Sequence, residues 1–157
     1  MQIAKHRKAK KVQEALGSNF TVLEFDQPTA SAAQAATAIG CAVAQIAKSL
    51  VFADAKDAPV LVIASGASRV DEAKVGEILG TPTHRADANF VKSATGFSIG
   101  GVPPVGHNTH LTVVLDQALR EFDEIWAAGG TPTSVFRLTP NQLNQLTGGT
   151  FADVALA

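Results

Sequence analysis

The sequence predicts an α+β fold in which a mixed, curved, barrel-like β-sheet is surrounded by helices, and three observations lead to it. Hydrophobic residues make up 46% of the 157 residues, which is enough for one core and argues against disorder. Strand-like and helix-like segments follow one another without a regular βαβ alternation. No repeat, low-complexity tract or linker divides the chain, so we expect a single domain over residues 1–157.

Five helices are predicted from the residues at their ends. Thr139 and Gln142 have the capping-box spacing, in which each side chain bonds to the other residue's backbone. Ser31, Asp71 and Asp87 are further capping residues, and glycines follow where these helices would stop. The predicted helices cover residues 5–16, 31–40, 72–79 and 88–95, with a last one opening at Thr139 and Pro140.

Six strands are predicted from the pattern of apolar residues. Residues 20–26 alternate between apolar and polar side chains, as in a strand with one buried face. Residues 59–65 form a continuous apolar run, which indicates a strand buried on both faces. The predicted strands cover residues 20–26, 44–53, 59–65, 111–116, 124–129 and 133–138.

The composition excludes several classes of protein. The formal net charge is −1, so the chain as a whole is not a basic nucleic-acid binder. No apolar run approaches the roughly 18 residues of a membrane-spanning helix, and no apolar segment follows the charged N-terminus as in a secretory signal. The single cysteine, Cys41, leaves no internal disulfide. We therefore expect a cytoplasmic protein without a membrane partner.

Positive charge is concentrated at the N-terminus. Five of the 13 lysine and arginine residues fall within the first 11 positions and are here called the N-terminal basic cluster: Lys5, Arg7, Lys8, Lys10 and Lys11. Such a cluster can bind phosphates by releasing counterions. The alternative is a solvated helix face without a ligand, because basic runs near an N-terminus are frequent.

The stretch SIGGVPPVGH, residues 98–107, is here called the glycine–proline loop. Gly100 and Gly101 permit positive φ angles and the close approach of a ligand. Pro103 and Pro104 fix φ and remove donors, so we expect a stiff loop. A stiff loop without side chains at its apex can present backbone N–H groups to a carbonyl oxygen or a developing oxyanion. The alternative is an ordinary turn between a helix and a strand.

Lys48 lies in the apolar segment QIAKSLVF. If this segment is a strand, Lys48 shares a face with Ile46 and Leu50. A lysine on an apolar face is costly unless its ammonium meets an anion or lines a cleft. The alternative is a lysine of an edge strand with its ammonium in water.

His107 and His110 have a spacing that could hold a metal ion on a helix. The residues around them are typical of a loop, and neither an HExxH motif nor a nearby cysteine completes a ligand set. We therefore expect no metal and no cofactor. The serines show no GxSxG elbow, so a nucleophilic serine is not expected.

These features together resemble the YbaK/ProX family, the aminoacyl-tRNA deacylases related to the editing domain of prolyl-tRNA synthetase. The resemblance runs from about residue 10 to residue 155 and includes the family's lysine-bearing strand and its GxxxP loop, with Gly100 and Pro104 as the loop ends. Four segments carry it in order: TASAAQAATAIGCAVAQIAKSLVF, SGASRVDEAKVGEILG, ATGFSIGGVPPVGH and VLDQALREFDEIWAAGGTPTSVFRLTPNQLNQLTGG.

The resemblance implies a mixed α/β fold with a barrel-like sheet and an activity. It implies trans-editing hydrolysis of the ester that joins a wrong amino acid to tRNA, usually a proline tRNA, with prolyl-tRNA synthetase as a further partner. Alanine or another small amino acid is expected, with cysteine, serine and threonine open. Catalysis is expected to be metal-free and assisted by the substrate, through a ribose hydroxyl or the amino acid's own thiol.

The resemblance also implies residue roles. Lys48 would contact the aminoacyl-adenosine end, and the backbone at Gly100 and Gly101 would act around the ester. Other residues of the loop would bind substrate, namely Ser98, Val102, Pro103, Pro104 and His107. Independently of the resemblance, the N-terminal basic cluster is expected to contact the acceptor stem of the tRNA through Lys5, Arg7, Lys8 and Lys11.

Two alternatives stay open at this point. The chain could be a non-catalytic tRNA- or synthetase-binding module of the same fold. It could also be a metal hydrolase that uses His107 and His110.

Overall fold

The computed structural model describes residues 1–157 and contains five helices and one sheet of nine strands. The helices are α1 (Arg7–Leu16), α2 (Ala32–Ile39), α3 (Glu72–Leu79), α4 (Ala88–Thr95) and α5 (Pro140–Thr147). The strands are β1 (Gln2–Ile3), β2 (Leu23–Glu24), β3 (Ile46–Asp54), β4 (Pro59–Ser65), β5 (Thr83–Arg85), β6 (Thr112–Asp116), β7 (Ile125–Ala128), β8 (Ser134–Leu138) and β9 (Thr150–Ala152). Short 3-10 helices cover Val43–Gln45 and Gln117–Glu121.

The sheet is mixed, with strand order β1-β2-β8-β7-β3-β4-β6-β9, and β5 also pairs with β3. Strands β3 and β7, β4 and β6, and β6 and β9 pair in parallel, whereas the other pairs are antiparallel. The predicted α+β fold with a mixed sheet is therefore confirmed. None of the five helices has the length and hydropathy that crossing a bilayer requires.

All five predicted helices are present, because their capping signals act locally. Asp71 and Asp87 accept hydrogen bonds from first-turn amides of α3 and α4. The capping box of α5 forms between Thr139 and Gln142, as predicted. Helix α1 begins two residues later than expected, because His6 caps it by accepting a hydrogen bond from the Lys8 amide at 3.1 Å.

The predicted strand 20–26 is mostly irregular, and only Leu23–Glu24 pairs in the sheet. The reason is a competing side chain. Gln13 of α1 accepts a hydrogen bond from the Val22 amide at 2.8 Å and donates one to the Phe20 carbonyl at 2.8 Å. These backbone groups are satisfied without a neighbouring strand, so the sheet does not extend over them.

The core lies on both sides of the central pair β3 and β4. Leu61 and Ile63 belong to a main cluster of 20 buried residues, whereas Val60 and Val62 belong to a smaller one of six. The continuous apolar run 59–65 is thus buried on both faces, as predicted. Burial stabilises the fold by about 25 cal/mol per Å² of apolar surface. The burial of β4 therefore also stabilises β3, which pairs with it.

The outer edge of β3 carries two different strands with a gap between them. Along one edge, β3 pairs with β4 over residues 47–53. Along the other edge, β7 pairs with Ile46 and Ala47, and β5 pairs with residues 52–54. No strand is registered against β3 between these two, from Lys48 to Val51. A cleft opens at this gap in the sheet.

Candidate active site

A cleft of about 400 Å³ opens at the gap in the sheet. Its walls come from β3, the N-terminal end of α2, the glycine–proline loop and the turn between β7 and β8. Many of the lining residues are alanines, which leave space where larger side chains would fill it: Ala30, Ala32, Ala35, Ala47, Ala127 and Ala128. The volume is in the range of sites that bind small ligands.

Lys48 lines this cleft and is its only ionisable residue. It lies on the same face of β3 as Ile46 and Leu50, as the alternation of a strand predicts. Its Nζ donates a hydrogen bond to the Ser68 carbonyl at 2.7 Å. The ammonium therefore has a fixed position and two further N–H groups for another partner.

Burial lowers the pKa of Lys48, and the positive charge of Arg85 lowers it further, whereas the negative charge of Asp116 raises it. The net direction is downward from 10.5. A lowered pKa means that the cleft disfavours an uncompensated ammonium, so an anionic or polar ligand group beside Lys48 would be stabilised.

The glycine–proline loop reaches the cleft through Ile99, Gly100 and Val102. Gly100 has a φ of +91°, which residues with a side chain rarely adopt. Its amide makes no hydrogen bond within the protein, and the residue is exposed. Gly100 thus lines the cleft and has a backbone N–H without a partner in the protein.

Gly101 differs from Gly100, because its φ angle is not positive. A Cβ at Gly101 would lie 2.9 Å from the Thr131 carbonyl carbon and Cα. The Gly101 amide donates to the Ser98 carbonyl at 2.9 Å. Gly101 is therefore needed for the close approach of the protein's own backbone, and its amide is already occupied.

The rest of the loop lies behind the wall of the cleft. Pro103 and Pro104 are buried and Ser98 is exposed, and none of the three lines the cleft. The Nε2 of His107 donates a hydrogen bond to the Pro103 carbonyl at 2.6 Å. Burial lowers the pKa of His107, so the neutral ring is favoured in this position. His107 holds the loop together and does not line the cleft.

His107 and His110 do not form part of a metal-ligand cluster. No group of three or more His, Cys, Asp and Glu side chains in the protein could hold a metal ion. His110 is exposed. The structure therefore does not assemble the residues that a metal hydrolase would need.

Most of the residues that line the cleft were not predicted from the sequence, and Ser49 and Trp126 are two of them. The Oγ of Ser49 is buried without a hydrogen-bond partner in the protein. Trp126 is partly buried against a core cluster. Their signal in the sequence is only that each lies in a strand. Whether a side chain of these strands reaches the cleft depends on the gap between β5 and β7 along β3.

The N-terminal basic cluster lies on and before α1, next to the structures that carry the cleft. The Lys8 carbonyl packs against Gly130, where a Cβ would come within 2.8 Å of its oxygen. Gly130 precedes Thr131, the residue that contacts Gly101. The Lys11 Nζ lies 5.2 Å from the centre of the Phe97 ring, beside the glycine–proline loop. Lys5, Arg7, Lys10 and Lys11 are exposed, and Lys8 is half-buried.

The protein is a small α+β domain with a cleft between a strand lysine and a backbone loop. The family model described as the aminoacyl-tRNA editing domain matches residues 26–146, which include every residue lining the cleft except Phe25. The chain belongs to the aminoacyl-tRNA editing domain family. The resemblance seen in the sequence is thereby confirmed.

Three relatives show how far the similarity extends. A solved structure described as a candidate trans-editing enzyme for prolyl tRNA synthetase is 43% identical, with a TM-score of 0.93 over 98% of this chain and 100% of that chain. The uncharacterized protein YwhH of Bacillus subtilis is 36% identical over 124 residues, which are 79% of each chain. EbsC of Enterococcus faecalis, named as a candidate Cys-tRNA(Pro)/Cys-tRNA(Cys) deacylase, is 26% identical over 79% of this chain and 76% of its own.

Proposed function

We propose that the protein is a trans-editing aminoacyl-tRNA deacylase that hydrolyses the ester of a mischarged tRNA. The expected substrate is tRNA-Pro that carries alanine or another small non-cognate amino acid. Water adds to the ester carbonyl, the bond to the ribose oxygen breaks, and the products are a free amino acid and an uncharged tRNA. Editing next to prolyl-tRNA synthetase in the cytoplasm is part of this proposal.

One observation carries it within this family. Lys48 is the only ionisable side chain in a cleft that also presents the free Gly100 amide. The cleft has no carboxylate or imidazole, the side chains that most often act as general bases, and the one lysine in it donates a hydrogen bond to the Ser68 carbonyl. This supports substrate-assisted catalysis, in which a ribose hydroxyl of the substrate helps to activate water and the protein positions the ester. Orientation and oxyanion stabilisation are large terms for such a reaction.

Each residue that the sequence analysis singled out receives a role under this proposal. The Lys48 ammonium binds the polar aminoacyl-adenosine end, and the Gly100 amide donates to the oxyanion. Gly101, Pro103, Pro104, Ser98 and His107 keep this amide in place from behind the wall, and Val102 contacts the substrate. The N-terminal basic cluster meets phosphates of the acceptor stem, since it packs beside the turn that lines the cleft.

The experiment is a deacylation panel. Proline tRNA charged with alanine, cysteine, serine, threonine or proline is incubated with the protein, with and without a chelator. We expect hydrolysis of at least one mischarged species, no hydrolysis of prolyl-tRNA, and the same rates with chelator. Binding of mischarged tRNA without turnover would instead support a non-catalytic binding module. Loss of activity with chelator and its return with zinc would contradict the metal-free mechanism.

A further inference from the structure

The structure contains a buried carboxylate that the proposed reaction does not use directly. Asp116, at the end of β6, is 1% exposed. Its Oδ2 accepts a hydrogen bond from the Ser65 amide at 3.0 Å, and its Oδ1 accepts one from the Ala118 amide at 3.0 Å. No lysine, arginine or histidine lies within salt-bridge distance of it. A buried charge without an ion-pair partner is costly, so its placement requires an explanation.

The Ser65 amide begins a chain of contacts that ends at Lys48. Ser65 opens the turn 65–68, in which the Ser68 amide donates to the Ser65 carbonyl at 2.9 Å. The Ser68 carbonyl accepts the hydrogen bond from Lys48 Nζ at 2.7 Å. The turn is held from a second side by the Ser65 hydroxyl, which donates to the Ala44 carbonyl at 2.8 Å. Asp116 thus anchors the first residue of the turn, and the last residue of the same turn accepts the hydrogen bond from the ammonium.

The negative charge of Asp116 also favours the protonated form of Lys48. Burial and Arg85 both lower the pKa of Lys48, and Asp116 is the group that opposes them. Because Asp116 is buried, this attraction is screened less by water and salt than that of a surface pair. Asp116 is therefore suited both to place the ammonium and to keep it protonated.

We propose that Asp116 is a positioning residue for Lys48, which it orients through the turn 65–68 and stabilises in the charged form by its buried carboxylate. The inference rests on the proposed function, because it assigns Asp116 to the reaction that Lys48 serves. Its main readout is the protonation of Lys48 in the free protein, which needs no substrate.

The test is Asp116→Asn, which keeps the size of the side chain but removes its charge and one of its two acceptor oxygens. The pKa of Lys48 is followed by NMR of its ¹³C-labelled Cε. We expect this pKa to fall relative to the wild-type protein. We also expect the deacylation rate to fall about tenfold, as is common when a partner that orients a functional group is removed. The alkaline limb of the pH–rate profile should move to lower pH, because the ammonium is lost earlier.

Asp54→Asn is the matched control. Asp54 is the last residue of β3 and caps the turn 54–58. Its Oδ1 accepts hydrogen bonds from the Lys56 amide at 2.8 Å and the Ala58 amide at 2.9 Å. It therefore makes two amide contacts, as Asp116 does, but it does not line the cleft. Asp54→Asn should leave the Lys48 pKa and the deacylation rate unchanged.

An unchanged Lys48 pKa in folded Asp116→Asn would overturn the inference, whether or not the protein deacylates tRNA. If the Lys48 pKa falls in Asp116→Asn as expected but the wild-type protein does not deacylate tRNA, the result would count against the proposed function alone. If Asp116→Asn does not fold, hydrogen exchange of the wild-type protein decides. The Ser65 amide should then exchange as slowly as the buried amides of β4, and exchange as fast as that of the exposed Ala67 would overturn the inference.

Discussion

The two walls that meet at the cleft are built in opposite ways. Strand β3 is paired with β4 along nearly its whole length and places Lys48 by the strict alternation of a strand. The glycine–proline loop has no strand pairing and is held by single contacts, from Gly101 to Thr131 and from His107 to Pro103. The strand contributes a side-chain charge, whereas the loop contributes a backbone donor.

This difference predicts where substitutions will act. The side chain to which we assign a function in β3 is Lys48, which lines the cleft and carries little of the packing, so activity and stability should separate. In the glycine–proline loop the proposed functional group is the backbone itself, which is positioned by the residues behind it. Changes there should reduce activity and stability together.

The largest expected effect comes from the strand. Lys48→Ala should reduce deacylation by about 10²–10³-fold, the loss typical of removing one electrostatic contact to a developing charge. The melting temperature should change little, because burying the ammonium costs free energy that Lys48→Ala recovers. The substitution leaves only the Ser68 carbonyl without its hydrogen-bond partner. Kinetics and thermal melting on the same preparation test this. Near-normal turnover by the folded variant would remove Lys48 from the active site.

The second effect comes from the loop. Gly101→Ala places a Cβ 2.9 Å from the Thr131 backbone, so the loop must move away from the turn between β7 and β8. We expect a loss of about 1–3 kcal/mol in the free energy of unfolding from overpacking. Displacement of the Gly100 amide should reduce deacylation by about 10²-fold.

Val75→Ala serves as the control for this prediction. Val75 is fully buried in the six-residue cluster and does not line the cleft, so its truncation destabilises the fold without moving the loop. Deacylation at a temperature where both variants are folded should be normal for Val75→Ala. Equal rates for the two variants would show that the loop is an ordinary structural turn.

The smallest effect is expected for the contact within the loop. His107→Gln should lose about 1 kcal/mol of stability, the usual contribution of one hydrogen bond, and reduce deacylation only a few-fold. The exposed His110 provides the control, since His110→Gln should change neither quantity.

The pH dependence of stability sharpens the same prediction. Burial lowers the pKa of His107 from 6.5, so the folded protein binds fewer protons here than the unfolded chain. The stabilisation is therefore present above pH 6.5 and is lost as the pH falls through the folded-state pKa. Between pH 7 and pH 5 the wild-type protein should lose more stability than His107→Gln, as measured by denaturant unfolding. Parallel losses in both proteins would contradict this.

The parts of the fold that the sequence predicted are those fixed by neighbouring residues. Helices α2 to α5 begin and end at local caps, and the run 59–65 is apolar enough to require burial on both faces. The strands β1, β5 and β9 have two or three residues each and exist because a partner lies beside them, which no local pattern encodes. Residues 20–22 show the converse. They have a strand pattern, but Gln13 of α1 makes the hydrogen bonds that a neighbouring strand would have made.

In the candidate site, too, the sequence predicted only what residue type and neighbouring residues determine. Lys48 and Gly100 were predicted from residue type, because a lysine among apolar residues and a glycine in a rigid loop are both unusual. Ser49 and Trp126 were missed, because their access to the cleft depends on how β5 and β7 divide one edge of β3. The close approach of Gly101 to Thr131 was not predicted either, since it joins two segments distant in sequence.

The divided edge of β3 also bears on self-association. A free strand edge is normally a template for a strand from another molecule, and natural sheets protect such edges with charges or coverings. The Val51 carbonyl already accepts a hydrogen bond from the Ala86 amide, so the stretch without a strand partner on this edge runs from Lys48 to Leu50. It is bounded by β7 on one side and β5 on the other, so an incoming strand would meet both before it could pair. The protein thereby leaves a gap in its sheet beside the cleft that is too short for the strand addition with which aggregation begins.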